Sequence, residues 1–366
     1  MNMRRAIVSS PGRACLFGEH MDWCGYYVIP AAVDMRSFLE ASPNNRPGVV
    51  EVYSYPPFDT YAEYDLRGLR IDRGSDLRYV GAVLKAMLRD RYLSGFESLR
   101  LRFMRAEDVS ELTGIRDLKD LPVKKGLSSS AAISVATAAA VDLAVNRPER
   151  RGRLFEEADL TRYASLAYTG ENKVLGINCG QMDQYASAYG GLLFIDCRSE
   201  PARVERLNPK TEIPLVIGDT GQGKDTPRIL AWLGERFRRR EPRFMEGVRG
   251  IVDVVLEARD ELRKTKPDLY RLGELMNLNQ HYLAKHLRVS GNCPVSPNRL
   301  DVLIEAALDA GALGAKLSGS GGGGAMIALC LPGDVERVAE AIRRAGGYPY
   351  VTRVADVGLR LEYFEA

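Results

Sequence analysis

The chain has 366 residues, 45% of them hydrophobic and 27% charged, enough apolar material for one large or two medium domains with a sizeable core. Its 51 basic residues against 48 acidic leave a formal net charge of +3. That balance argues against a dedicated nucleic-acid binder, and the densest basic stretch, Arg236 to Arg243, reads as a solvated helix face. Six scattered cysteines without a C-x-x-C pair, and only three histidines, argue against a zinc site and fit reduced thiols better than a disulfide framework. No apolar run approaches the length of a membrane span, and the first residues lack an apolar signal core. A cytoplasmic protein without membrane partners is therefore expected.

In chain order, "YYVIPAAV" and "GVVEVYSY" predict strands and "YVGAVLKAMLRDRYL" a helix. Ala131 to Val145 is apolar all round and predicts a buried helix. "LFEEADLTRYASLAYTGEN" predicts a second helix, and "GGLLFIDC" and "PLVIGDT" two further strands. Helices follow over Ile229 to Arg239, Met245 to Arg263, Leu269 to Ala284 and Pro297 to Ala310. "GAMIALCL", "DVERVAEAIRRAG" and "GLRLEYF" close the chain as strand, helix and strand. The mixture predicts an α+β protein with a boundary in the stretch Arg206 to Pro214.

Three glycine- or serine-rich stretches stand out. "KKGLSSSAA" precedes the Ala-rich helix. A helix N-terminus offers unpartnered N–H groups and a partial positive charge, so small residues there let an anion approach. Alone, the same serines serve equally as an N-cap. "GDTGQGKD" (Gly218 to Asp225) nearly matches a P-loop, but Asp225 stands where a hydroxyl should hold magnesium. "GSGGGG" (Gly319 to Gly324) has dinucleotide-fingerprint spacing, yet a strand follows it rather than a helix. It reads as a glycine loop between two strands, able to pack closely against a backbone or a ligand.

"PGRACLFGEHMDW" (Pro11 to Trp23), "PVKKGLSSSAA" (Pro122 to Ala132) and "KLSGSGGGGA" (Lys316 to Ala325) resemble, in order, the three motifs of the GHMP kinases, which include galactokinase, homoserine kinase, mevalonate kinase and phosphomevalonate kinase. "GENKVLGINCGQMDQYASAYGGLLFIDCRS" looks most like galactokinase and its sugar-kinase relatives. The resemblance implies a ribosomal protein S5-like N-terminal domain (1–208) and a ferredoxin-like C-terminal domain (209–366), with ATP and a small-molecule acceptor between them. It implies Asp183 as the catalytic base, with Arg13 beside it to keep it ionised. Ser130 and Glu171 match the family's Mg2+ ligands. Gly126, Leu127, Ser128, Ser129, Ser130 and Ala131 would wrap the ATP phosphates, and Gly321, Gly322 and Gly323 would let the second domain's backbone approach them. Where the family's loop carries glycines this chain has Lys124 and Lys125; either one of them adds phosphate affinity as a point charge, or both are solvated at the cleft rim. Glu19, His20, Asp22 and Gly180 would contact the acceptor together with Asp183. Glu-His-x-Asp resembles galactokinase-like enzymes and points to a sugar, phosphorylated on its anomeric hydroxyl. "VIGDTGQGKDTPRIL" looks more like mevalonate and heptose kinases, and that alternative stays open, as does a non-catalytic sugar and ATP sensor. A monomer or homodimer is expected.

Overall fold

The computed structural model describes residues 4–55, 60–123, 125–146 and 155–365. Lys124, one of the expected phosphate-binding residues, lies outside them.

Two antiparallel-rich sheets organise the chain. The first is built on β1 (Arg5–Phe17) and β2 (Tyr27–Pro43), followed by β3 (Val49–Tyr53), β4 (Tyr61–Asp65) and β5 (Leu99–Met104). Its 17-residue β2 is long enough to serve two neighbours. Phe38 to Pro43 pair with β5, while Tyr27 to Ala31 pair with β6 (Leu192–Asp196), which β7 (Arg203–Leu207) extends. The helices of this unit are α1 (Arg78–Arg89), α2 (Ala106–Thr113), α3 (Ser129–Asn146), α4 (Glu157–Tyr168) and α5 (Met182–Tyr189).

The second sheet runs β11-β8-β10-β9, every pair antiparallel. It comprises β8 (Leu215–Asp219), β9 (Gly314–Ser318), β10 (Ala325–Leu329) and β11 (Tyr348–Thr352). With it go α6 (Thr226–Arg238), α7 (Pro242–Leu262), α8 (Leu269–Tyr282), α9 (Leu300–Asp309) and α10 (Val335–Arg344). The predicted elements are present, and the architecture is the anticipated α+β one. One element crosses over: β12 (Arg360–Glu365), expected within the 209–366 unit, pairs antiparallel with β1 and completes the first sheet. The buried guanidinium of Arg36 fixes this return, donating to Ser9 and to the carbonyls of Val357 and Gly358.

Two local features aim the chain at the space between the sheets. Strand β1 carries Pro11 and Gly12 in its middle, residues that weaken a regular ladder. Its register with β2 slips between Pro11 and Arg13, and such irregularities re-aim the next side chain. Helix α3 is the predicted Ala-rich helix, with 13 of its 18 residues buried. It corrects the expectation that no apolar run approaches the length of a membrane span: by length and composition it could cross one. Here it is the central core helix, packed on β1, β2, α1, α4 and α5. All six cysteines are unpaired.

Candidate active site

A cavity of about 1220 Å³ opens between the two units. At its centre Arg13, re-aimed by the β1 irregularity and only 4% exposed, grips Asp183 in the first turn of α5. Its Nε donates to Oδ1 at 2.7 Å and its Nη2 to Oδ2 at 2.8 Å, a two-point fork that fixes the carboxylate's plane. Arg13 is itself held by the serine-rich loop: its Nη1 donates to Gly126 O at 3.1 Å and its backbone N–H to Leu127 O at 3.1 Å. Ser128 closes the cluster by donating its hydroxyl to Asp183 Oδ2. The backbone of Ser128 is left-handed, at φ 56°. A non-glycine residue there stores on the order of 1–3 kcal/mol of strain, and its anchorage to Asp183 holds it in place.

Two of the three serines thus divide their work. Ser128 serves Asp183, while Ser130 hydrogen-bonds Glu171. Glu171 reads in sequence as an ordinary exposed helix-end residue, yet it is 7% exposed. It stands in a π-type turn, Thr169–Val174, that prolongs α4 and swings the chain inward. Burial, then the charge of Asp183, push its carboxyl up to about 7, although Ser130 and Gln184 both bond it. A hydroxyl and an under-compensated carboxylate at one wall are hard oxygen donors. They fit Mg2+, whose charge would restore ionisation of Glu171.

Asp22 lies on the other side of Asp183. Burial and then the Asp183 charge push it up to about 6, against backbone N–H groups of Trp23 and Met182 that favour its ionised form. Gly180 makes room for it: a Cβ at residue 180 would lie 2.2 Å from the Asp22 carboxyl. His20 accepts from Trp23 Nε1 at 3.1 Å on Nδ1. The indole N–H can only donate, so the ring's own proton sits on Nε2. Burial first, then Lys224, lower His20 to about 3, which keeps it neutral. Among the described residues its buried Nε2 makes no hydrogen bond of normal geometry, although the Ser320 backbone beside the ring favours its protonated form, and the ring lines the cavity.

Several expected site residues stand elsewhere. Glu19 does not line the cavity. It is fully buried in an ion pair with the equally buried Lys316, whose ammonium also donates to Cys15 O at 3.0 Å and Leu317 O at 2.7 Å. Leu127 and Ala131 turn their side chains into the core. The glycine loop faces the cavity through Gly319, Ser320 and Gly324. The expectation is corrected for Gly321 and Gly322, which pack against Val289 and Ile229, with Gly322 N–H donating to Val289 O at 2.8 Å, while Gly323 lies against the Gln222–Lys224 loop. Lys125 does line the cavity, but Asp219 binds its ammonium at 2.9 Å.

Sequence reasoning missed Gln184, which donates to Glu171, and Trp23. The rejected P-loop segment is indeed strand, loop and helix, with Asp225 capping α6 through the Arg228 N–H at 3.0 Å. Lys224 lines the cavity from that loop.

The geometry can orient a hydroxyl against a carboxylate, and anionic oxygens against cations and bare backbone. Comparison with known proteins accords with it. Residues 79–191 match the GHMP kinases N terminal domain model, 258–347 the GHMP kinases C terminal model, and 2–43 the Galactokinase galactose-binding signature. A mevalonate kinase of Pyrococcus abyssi is 33% identical over 98% of both chains, and a galactokinase of Thermococcus kodakarensis 29% identical over 92% of both. In fold, the chain is similar to Lactococcus lactis galactokinase complexed with galactose (TM-score 0.76, 22% identity, 97% of this chain and 94% of that one). The chain belongs to the GHMP kinases, ATP-using enzymes that phosphorylate small molecules.

Proposed function

We propose that the chain transfers the γ-phosphoryl group of ATP to the anomeric hydroxyl of a monosaccharide. The observation that carries this reading is that Asp22, near enough to Asp183 to feel its charge, and a neutral His20 line one cavity. A polyol needs acceptors and donors fixed in space. Asp22 offers an acceptor and His20 Nε2–H a donor, both lining the cavity that also holds the carboxylate that would take a proton.

In this reading Asp183 accepts the proton of the attacking hydroxyl. Its carboxylate has about four lone-pair sites, and Arg13 and Ser128 occupy three of them. One remains for the substrate. Arg13 holds the Asp183 carboxylate in plane, so the base is oriented before the acceptor arrives. The oxygen–phosphorus bond forms as the bond from phosphorus to the ADP oxygen breaks. Ser130 and Glu171 would hold Mg2+, which when bound neutralises the phosphate oxygens. Backbone N–H groups at the start of α3 would receive the phosphates.

A second reading, mevalonate kinase, is favoured by the whole-chain identity to the Pyrococcus abyssi enzyme. Mevalonate carries a carboxylate, however, and an anion placed against Asp22 and Asp183 meets two acidic groups. The test is ADP release with ATP, Mg2+ and a panel of galactose, arabinose, a uronic acid, a heptose derivative, mevalonate and homoserine, with the phosphorylated carbon identified by NMR. A sugar phosphorylated at C1 is expected. Turnover of mevalonate alone overturns the proposal, and silence throughout favours a sensor.

A further inference from the structure

Lys224 reaches the cavity from the loop between β8 and α6. Its ammonium has no carboxylate and no hydrogen-bond partner among the described residues, unlike Lys125, which Asp219 neutralises. Burial, and then the nearby Arg13 guanidinium, lower it to about 8; Asp183 and Asp219 act the other way. An unpaired cation is thus held at the meeting of the two units, beside a second cation.

The space between them is defined by Gly319, whose backbone is left-handed at φ +91°. A carbon built as its Cβ would lie 3.9 Å from Lys224 Nζ, 3.9 Å from Arg13 Nη2 and 3.7 Å from Gly126 O, with nothing else nearer outside its chain neighbours. The two cationic nitrogens are therefore at most 7.8 Å apart, twice 3.9 Å. A charge-assisted hydrogen bond of about 2.8 Å to a phosphoryl oxygen puts the phosphorus about 4 Å from the nitrogen. At that separation or less, both nitrogens are within reach of the oxygens of one phosphoryl group. Arg13 has donors to spare, since Nη1 and Nη2 each carry a second N–H beyond those given to Gly126 and Asp183. Gly324 is equally permissive on the other side: a Cβ there would come within 2.9 Å of Lys224 Nζ.

We propose that Lys224 is a further catalytic residue, binding the transferring phosphoryl group opposite Arg13. Both cations keep their protons. The acceptor's proton goes to Asp183, the acceptor oxygen bonds phosphorus, the bond to the ADP oxygen breaks, and the equatorial oxygens are held from both units. The inference rests on Asp183 as base and on the family's use of ATP, but not on which alcohol is the acceptor.

The test compares calorimetric binding of Mg2+·AMP-PNP and Mg2+·ADP to the wild type, Lys224→Met, Lys224→Gln and Lys224→Arg, with no acceptor present. Steady-state rates are then measured with whichever acceptor the panel identifies. Loss of AMP-PNP affinity by about tenfold, with ADP affinity changed less than about twofold, is expected for Met and Gln. kcat should fall by about 10²–10³, the usual cost of removing one transition-state donor, and Arg should recover at least tenfold of it. Equal loss of both nucleotides, or loss of neither, overturns the proposal. So does a rise in KM for an acidic acceptor with AMP-PNP binding intact, which would assign Lys224 to the acceptor's carboxylate. Gln keeps the test alive if Met fails to fold. Because the binding arm uses no acceptor, a wrong sugar assignment leaves its outcome unaffected.

Discussion

The two walls of the cavity are built to different degrees of completion. On the first-sheet wall the polar groups already hold one another: Arg13 forks onto Asp183, Ser128 closes on the same carboxylate, and Ser130 and Gln184 both bond Glu171. On the second-sheet wall Lys224 stands without a partner among the described residues, and Gly319 and Gly324 present bare backbone. A proton acceptor must be oriented before its substrate arrives, which favours a prewired wall. A wall that receives anionic oxygens keeps its donors uncommitted until the anion comes. Among the contacts that weld the two walls together is one fully buried ion pair, Glu19–Lys316.

Removing the centre of the prewired wall should have the largest effect. Asp183→Asn is expected to lower kcat by about 10²–10⁴ while nucleotide affinity, read by calorimetry, stays within a few-fold. Cutting the weld comes next. Lys316→Met leaves the Glu19 charge buried and alone, and urea unfolding should show a loss of about 3–5 kcal/mol, much of it recovered in the Glu19→Gln/Lys316→Met double variant. Gly180→Ala drives a methyl into Asp22, so acceptor KM should rise about 10- to 100-fold, the worth of a hydrogen bond to a charged group, with nucleotide KM unchanged.

Acidity sharpens the comparison further. Folding raises the Asp22 pKa to about 6, so the folded chain holds that proton more tightly than the unfolded one. The stability this contributes is full below about pH 4, the unfolded carboxyl's range, and is lost as pH rises through about 6. Acceptor affinity should move oppositely, weakening as pH falls below about 6, and Asp22→Asn should flatten both profiles. The smallest effect belongs to Lys125→Ala. Its partly exposed ion pair with Asp219 is worth about 0–1 kcal/mol, and nucleotide KM should shift less than about threefold.

What the sequence displayed was local. Helix α3 announces itself by composition, and the serine triplet, Arg13 and Asp183 are visible through motifs that keep their order. What it hid depends on distant partners. Glu171 looks solvated until a π-type turn buries it against Ser130 and Gln184. Glu19 looks like a ligand residue until Lys316, 297 positions away, claims it. The run Gly319 to Gly324 shows no preferred face in sequence. Packing against Val289 and Ile229 decides which glycines look inward. Strand β1 escaped periodicity because Pro11 and Gly12 interrupt it, and that interruption is what delivers Arg13 to the cavity.

The return of β12 to β1 has a consequence for how the molecule comes into being. On the ribosome β1 emerges well before β12, and its outer edge, beside Ile7 and Val8, finds its proper neighbour only when residues 360–365 appear. Until then a row of amide and carbonyl groups is open to mispairing. A chain stopped before residue 360 would carry every catalytic side chain named above and still leave that edge raw and prone to sticking to its neighbours.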